Sequence, residues 1–106
     1  MQHTKIVIAQ QSHIYFVNTE DIVYCQSDDC YTNIHLVDNN KILLVKSLTK
    51  FHKELPQEVF LRVNQSNLIN KAFVKTIDRK KKLIELANNN KVPFTISLKD
   101  LLVQLF

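Results

Sequence analysis

The chain has 106 residues, 45% of them apolar and 23% charged, with a formal net charge of +4. That fits one folded domain spanning residues 1–106, with a real but modest core, and not a disordered chain. The longest apolar runs, "KILLVK" and "LLVQLF", fall far short of the ~20 residues a membrane helix needs, and no signal-peptide pattern opens the sequence, so a soluble, cytoplasmic protein is expected.

The elements follow in chain order. "KIVIAQ" and "HIYFVN" read as two short strands joined by Gln11-Ser12, since apolar and polar residues alternate on either side of a turn signal. "DIVYCQ" is a third strand, rich in β-branched and aromatic residues. "YTNIHLV" and "KILLVK" flank Asp38-Asn39-Asn40 and make a hairpin. "SLTKFHKEL" breaks the β pattern. Ser47 is a good N-cap, Leu48, Phe51 and Leu55 share one helical face, and Pro56 ends the helix. "AFVKTIDRKKKLIELANNNKVPFTI" reads as two strands joined through Asp78–Lys81, with a third after the Asn run. In "SLKDLLVQLF", Ser97 and Asp100 fit the capping pattern [ST]-x-x-[DE], and Leu98, Leu101, Leu102 and Leu105 recur at helical spacing. The expected fold class is mainly β: an elongated arrangement of short-stranded antiparallel sheets, one short central helix and a C-terminal helix.

Glycine is absent. Turns that need positive φ must then use Asn, the next most tolerant residue, and "DNNK" (38–41) and "NNNK" (88–91) are the places to look. Without glycine there is also no phosphate-cradling loop, because the backbone cannot approach closely enough. No Ser or Cys clusters with His and Asp in a nucleophile–base order, so no enzyme is expected. Two cysteines, Cys25 and Cys30, do not make a disulfide framework. With His35 they form a C-x4-C-x4-H spacing, yet no fourth ligand is suggested, and His3, His13 and His52 are scattered. Asp28-Asp29 alone is a weak site for a hard cation. Neither metal nor cofactor is expected.

The net charge hides an asymmetry. Residues 1–40 carry one base, Lys5, against five acids, while residues 41–106 carry thirteen bases and five acids. The basic part suits a polyanionic partner; the plain alternative is charge that keeps a domain dispersed. Within it, "FLRVNQSNLIN" holds a polar knot, Asn64-Gln65-Ser66-Asn67, between apolar flanks, with Arg62 just before it. Turn chemistry accepts such residues, and so does a surface that reads hydrogen-bond donors and acceptors.

Three stretches together resemble the LytTR-type DNA-binding domain of bacterial response regulators, over about residues 4–106. "DIVYCQSDDCYTNIHL" is similar to that family's strand, acidic turn and Tyr-Thr strand. "FLRVNQSNLIN" places Phe60, Arg62, Ser66 and Asn70 at the family spacing, and is the most specific. "NNKVPFTISLKDLL" resembles the entry to the family's last helix. The resemblance implies sequence-specific binding of promoter DNA, with loops inserted in the major groove, often at paired direct repeats and with bending. It also implies a partner receiver domain in a longer chain, and two copies, a homodimer, on the DNA.

Carried over residue by residue, the resemblance puts the loop of Asn64, Gln65 and Ser66 at DNA. Gln65 suits bidentate bonding to adenine N6 and N7, Asn64 the same or a bond to phosphate, and Arg62 suits a phosphate. Turn-making competes with contact for these residues, evenly so for Ser66. Tyr31 and Thr32, after the acidic turn, face the same expectation. Arg79, Lys80, Lys81 and Lys82 are expected either to grip phosphates or to guard a solvated hairpin against edge pairing. Asn70 is expected to tie backbone near Phe73. The family usually has His at Asn64, often a basic residue at Gln65, and Arg at Ile96. Losing those cations leaves a rival reading, a protein-interaction module of the same fold that no longer binds DNA. A small β enzyme or ligand-binding domain is the more distant rival.

Overall fold

The computed structural model describes residues 5–106, so His3 and Thr4 lie outside the described residues. Strands β1 (Lys5–Ala9) and β2 (Ile14–Asn18) form a ribbon, turned at Gln11-Ser12, where the Gln10 amide donates to His13 O at 2.8 Å. Then come β3 (Ile22–Asp28), β4 (Tyr31–Leu36), β5 (Lys41–Leu44), helix α1 (Leu48–His52), β6 (Phe60–Asn64) and β7 (Asn67–Asn70). Strands β8 (Val74–Asp78), β9 (Leu83–Leu86) and β10 (Lys91–Pro93) precede helix α2 (Leu98–Leu105). The central sheet has five strands in the order β5-β4-β3-β7-β6, and a three-stranded sheet runs β10-β9-β8. All these pairings are antiparallel. The mainly-β expectation holds, with both helices where the capping signals put them.

Both faces of the central sheet are covered. Because side chains alternate across a strand, neighbouring residues of β7 serve opposite cores. Leu68 joins Ile22, Cys25, Ile34, Phe51 and Phe60 beneath the ribbon and α1. Ile69 joins Val23, Val63, Ile84, Phe94 and Leu101 beneath the three-stranded sheet and α2. All four residues of β7 are buried in consequence. Asn70 is only 1% exposed; it donates to Ile22 O at 3.0 Å and accepts from the Ala72 amide at 2.9 Å. That is the backbone-tying role expected of it.

The helix starts are capped as expected. Ser47 Oγ accepts from the Lys50 amide at 3.2 Å, and Ser97 Oγ accepts from the Asp100 amide at 3.1 Å. Among the described residues, positive φ falls on Asp29, Asn39, Lys82, Asn88 and Asn89. Four of the five are Asn or Asp, whose short polar side chains tolerate the left-handed region best after glycine. Three short 3-10 turns, Thr19–Asp21, Lys71–Phe73 and Ala87–Asn89, were not foreshadowed by periodicity.

Candidate nucleic-acid interface

The polar knot resolves into a tight turn. β6 ends at Asn64, β7 begins at Asn67, and Gln65-Ser66 lie exposed between them. Two side chains hold the turn in shape. Asn64 Oδ1 accepts from the Ser66 amide at 2.7 Å and from Asn67 Nδ2 at 3.2 Å, while Asn64 Nδ2 donates to Pro93 O at 2.6 Å. Arg62 Nε donates to Asn64 O at 3.0 Å, Nη1 to Thr49 Oγ1 at 3.3 Å, and Nη2 to Gln65 O.

Those bonds give Asn64 and Arg62 a role within the turn itself. Bidentate reading of adenine needs one acceptor and one donor from the same amide, and both acceptor positions of Asn64 are taken inside the turn. The Arg62 guanidinium pins two carbonyls of the turn. Both are shaping residues here. No bond within the chain engages the Gln65 side chain among the described residues, and it is exposed. The Ser66 hydroxyl is likewise exposed.

Three other segments are fastened to this turn. The Ser27 amide donates to Ser66 O at 2.8 Å, locking the β3–β4 turn, with Asp28, Asp29 and Cys30, against it. The Thr95 amide donates to Val63 O at 2.9 Å, and the Phe94 amide donates to Lys82 O at 3.1 Å. The stretch 93–95 therefore runs between the polar turn and the β8–β9 tip, bonded to both. At that tip Asp78 Oδ1 accepts from the amides of Lys80 and Lys81 at 3.0 and 2.9 Å, and Arg79, Lys80, Lys81 and Lys82 are all exposed. One edge of the molecule thus collects the polar turn, the basic tip, the acidic turn and Thr95.

Tyr31, 38% exposed, sits at this edge. Thr32 does not face outward: it is fully buried, and its hydroxyl donates to Lys46 O at 2.8 Å. Position 32 lies on the inner face of β4 because alternation turns it inward when Tyr31 points out, so Thr32 leaves the set of contact residues. Two groups at the edge escaped sequence reasoning. Thr95 is exposed and lines a groove with Gln65, Ser66 and Pro93; its place in the Pro-x-Thr stretch was the available signal. Thr49, exposed in α1, joins the edge through its bond from Arg62, which no local pattern announces.

Titratable groups behind the edge are tuned toward neutrality. His52 is lowered from the ordinary imidazole value by burial and by the positive charge of Arg62, against a bond with the Phe60 backbone that raises it. Burial pushes the Cys25 thiol far up, leaving it inert, whereas Cys30 is exposed. No cluster of three or more His, Cys, Asp or Glu suited to a metal ion occurs among the described residues. No helix among them is long and apolar enough to cross a membrane.

A mainly-β domain with its polar turns gathered on one basic-and-acidic edge defines the class. The profile of the LytTr DNA-binding domain matches residues 12–106, and the chain belongs to that family. It is 30% identical over 76 residues to the sensory transduction protein LytT of Bacillus subtilis (strain 168), a match covering 72% of this chain and 31% of that protein. The fold superposes on a solved LytTr DNA-binding domain from a Bacillus cereus response regulator with a TM-score of 0.77 and 21% identity, covering 95% and 94% of the two chains. The fold class and the resemblance read from the sequence are both borne out.

Proposed function

We propose that this domain is the sequence-specific DNA-reading part of a bacterial transcription regulator, and that the collected edge enters the major groove of duplex DNA. The supporting observation is the hydrogen-bonded convergence of four segments, far apart in sequence, that leaves Gln65 unengaged at the turn. In this reading Gln65 meets the N6 and N7 of an adenine, with Ser66, Thr95 and Tyr31 beside it. Arg79, Lys80, Lys81 and Lys82 neutralise phosphates on one flank, and Arg62 and Asn64 set the shape of the reading turn. Two copies on repeated half-sites, and a receiver domain elsewhere in a longer chain, belong to the same reading. The LytT relative extends well beyond the matched part, which covers 31% of it.

A second reading, a protein-interaction module of the same fold, draws on Asp28 and Asp29. Both are exposed at the edge, and carboxylates repel phosphate. Backbone-amide NMR during titration with a duplex separates the two. The DNA reading predicts shifts concentrated at residues 28–31, 64–67, 79–82 and 93–96 and saturating with duplex. An unchanged spectrum at low salt would remove DNA as the partner of this edge.

A further inference from the structure

Strands β6 and β7 are joined by Gln65 and Ser66 alone. Two-residue connections prefer turns with positive φ at one or both residues, because that twist matches the strands they join. Neither Gln65 nor Ser66 has positive φ, and the strand register shifts between Arg62 and Asn64, just before the turn. The backbone does not hold this turn by its own preference, so side chains must hold it.

Asn67 is the deepest of them. It stands opposite Asn64 across the two strands, is only 5% exposed, and its Nδ2 donates to Asn64 Oδ1 at 3.2 Å. The neighbours fix which way both amides face. Asn64 Nδ2 donates to Pro93 O and Asn64 Oδ1 accepts from the Ser66 amide, so only the Nδ2 of Asn67 can meet that oxygen. The other half of the Asn67 amide has no such reward: its Oδ1 is buried and meets no donor among the described residues. Asn70, at the far end of β7, has both amide atoms bonded. A buried acceptor left unmet costs stability, and an apolar side chain of similar size would not. Folding alone therefore does not favour asparagine at position 67. Its one bond, to Asn64, is what it contributes.

We propose that Asn67 is a positioning residue for base reading. Its buried amide fixes the Asn64 side chain, which fixes the Ser66 amide, so that Gln65 is presented in a single orientation before DNA arrives. Such preorganisation removes an ordering cost from the specific complex and leaves phosphate contacts untouched. This inference rests on the proposed reading of DNA by the turn.

Binding to a matched duplex, selected with the wild type, and to its scramble tests it with Asn67→Leu. The leucine variant should keep or raise the thermal midpoint. Its preference for matched over scrambled duplex should fall at least ~10-fold, while affinity for the scramble and its salt slope, both set by phosphates, stay as they were. Hydrogen exchange at the Ser66 amide should quicken. Added to Asn64→Ala, the same change should cost no further preference, because both act along one path. Asn67→Val, smaller and suited to a strand, repeats the test should leucine overfill the site. A wild type that selects no motif would overturn the reading of DNA and this inference together. A selective wild type matched by an equally selective Asn67→Leu would overturn the inference alone. So would additive losses in the double variant, or a midpoint lowered by both leucine and valine, which would make Asn67 a support of the fold.

Discussion

At Arg62, a guanidinium that the family resemblance aims at phosphate turns back and holds two carbonyls of its own turn, with a third bond to Thr49. The physical cause is local. Carbonyls at a tight turn have no ladder partners, and a forked cation two residues away satisfies them with charge-assisted bonds. Arg62→Ala should therefore cost about 1–2 kcal/mol of stability by urea denaturation. If its role is to shape the turn, the change should weaken DNA binding without reducing the salt slope; a slope lower by about 0.9 would instead make it a phosphate ligand. His35 supplies a second residue-level prediction. Its ring stacks on Tyr24 at a centroid distance of 4.1 Å, its Nε2 is buried without a partner, and burial together with the charge of Lys41 lowers its pKa from 6.5. Folding then favours the neutral ring. The associated stability is present above 6.5 and disappears as pH falls through the lowered folded value, because the unfolded chain binds the proton first. Thermal midpoints measured down this window should fall in the wild type and fall less in His35→Phe, which keeps the stack and removes the titration. His52, lowered by burial and Arg62, leaves a residual slope of the same sign.

At the scale of elements, the alternation of the strands and the caps of both helices were legible because each depends on residues within a few positions of one another. The positive-φ turns were legible for the same reason: with no glycine in the chain, Asn39, Asn88 and Asn89 were the natural occupants. Lys82 was not, and a lysine at φ 53 is held there by the Phe94 amide bonding its carbonyl. Lys82→Gly should relieve the left-handed strain, offset by glycine's greater freedom in the unfolded chain. The net expectation is a stabilisation of about 0.5–1 kcal/mol by chemical denaturation; a drop in stability would mean that the Lys82 side chain contributes packing. What sequence could not supply is the joining of elements. The insertion of β7 between β3 and β6, the bond from Asn64 to Pro93, and the inward turn of Thr32 toward Lys46 depend on partners 14 residues or more away. Local patterns carry no record of them. Hence the knot was recognisable as polar, while the division between Asn64, which shapes the turn, and Gln65, which is left to reach outward, appeared only in three dimensions.

Over the whole molecule, the acidic first part and the basic remainder do not segregate into two ends. The β3–β4 turn brings Asp28 and Asp29 to the edge that also carries Arg79–Lys82, since the Ser27 and Ser66 backbones are bonded together. The edge is therefore mixed in sign, and phosphate attraction is confined to its flank. Replacing Arg79, Lys80 and Lys81 together with Ala should lower affinity for every duplex alike and reduce the magnitude of the salt slope by about 0.9 for each phosphate no longer neutralised. Unequal reductions among sequences would mean that the tip reads bases. The central claim is that Gln65 reads a base from a turn shaped by Arg62 and Asn64. Selection from a randomised duplex library, run side by side with wild type and Gln65→Ala, tests it most directly. An enriched motif in the wild type, with one adenine position relaxed in the variant at a cost of about 1–3 kcal/mol for the matched site and the other positions kept, is the predicted result. Identical motifs from both proteins, or no enrichment from the wild type at any salt concentration, would contradict it.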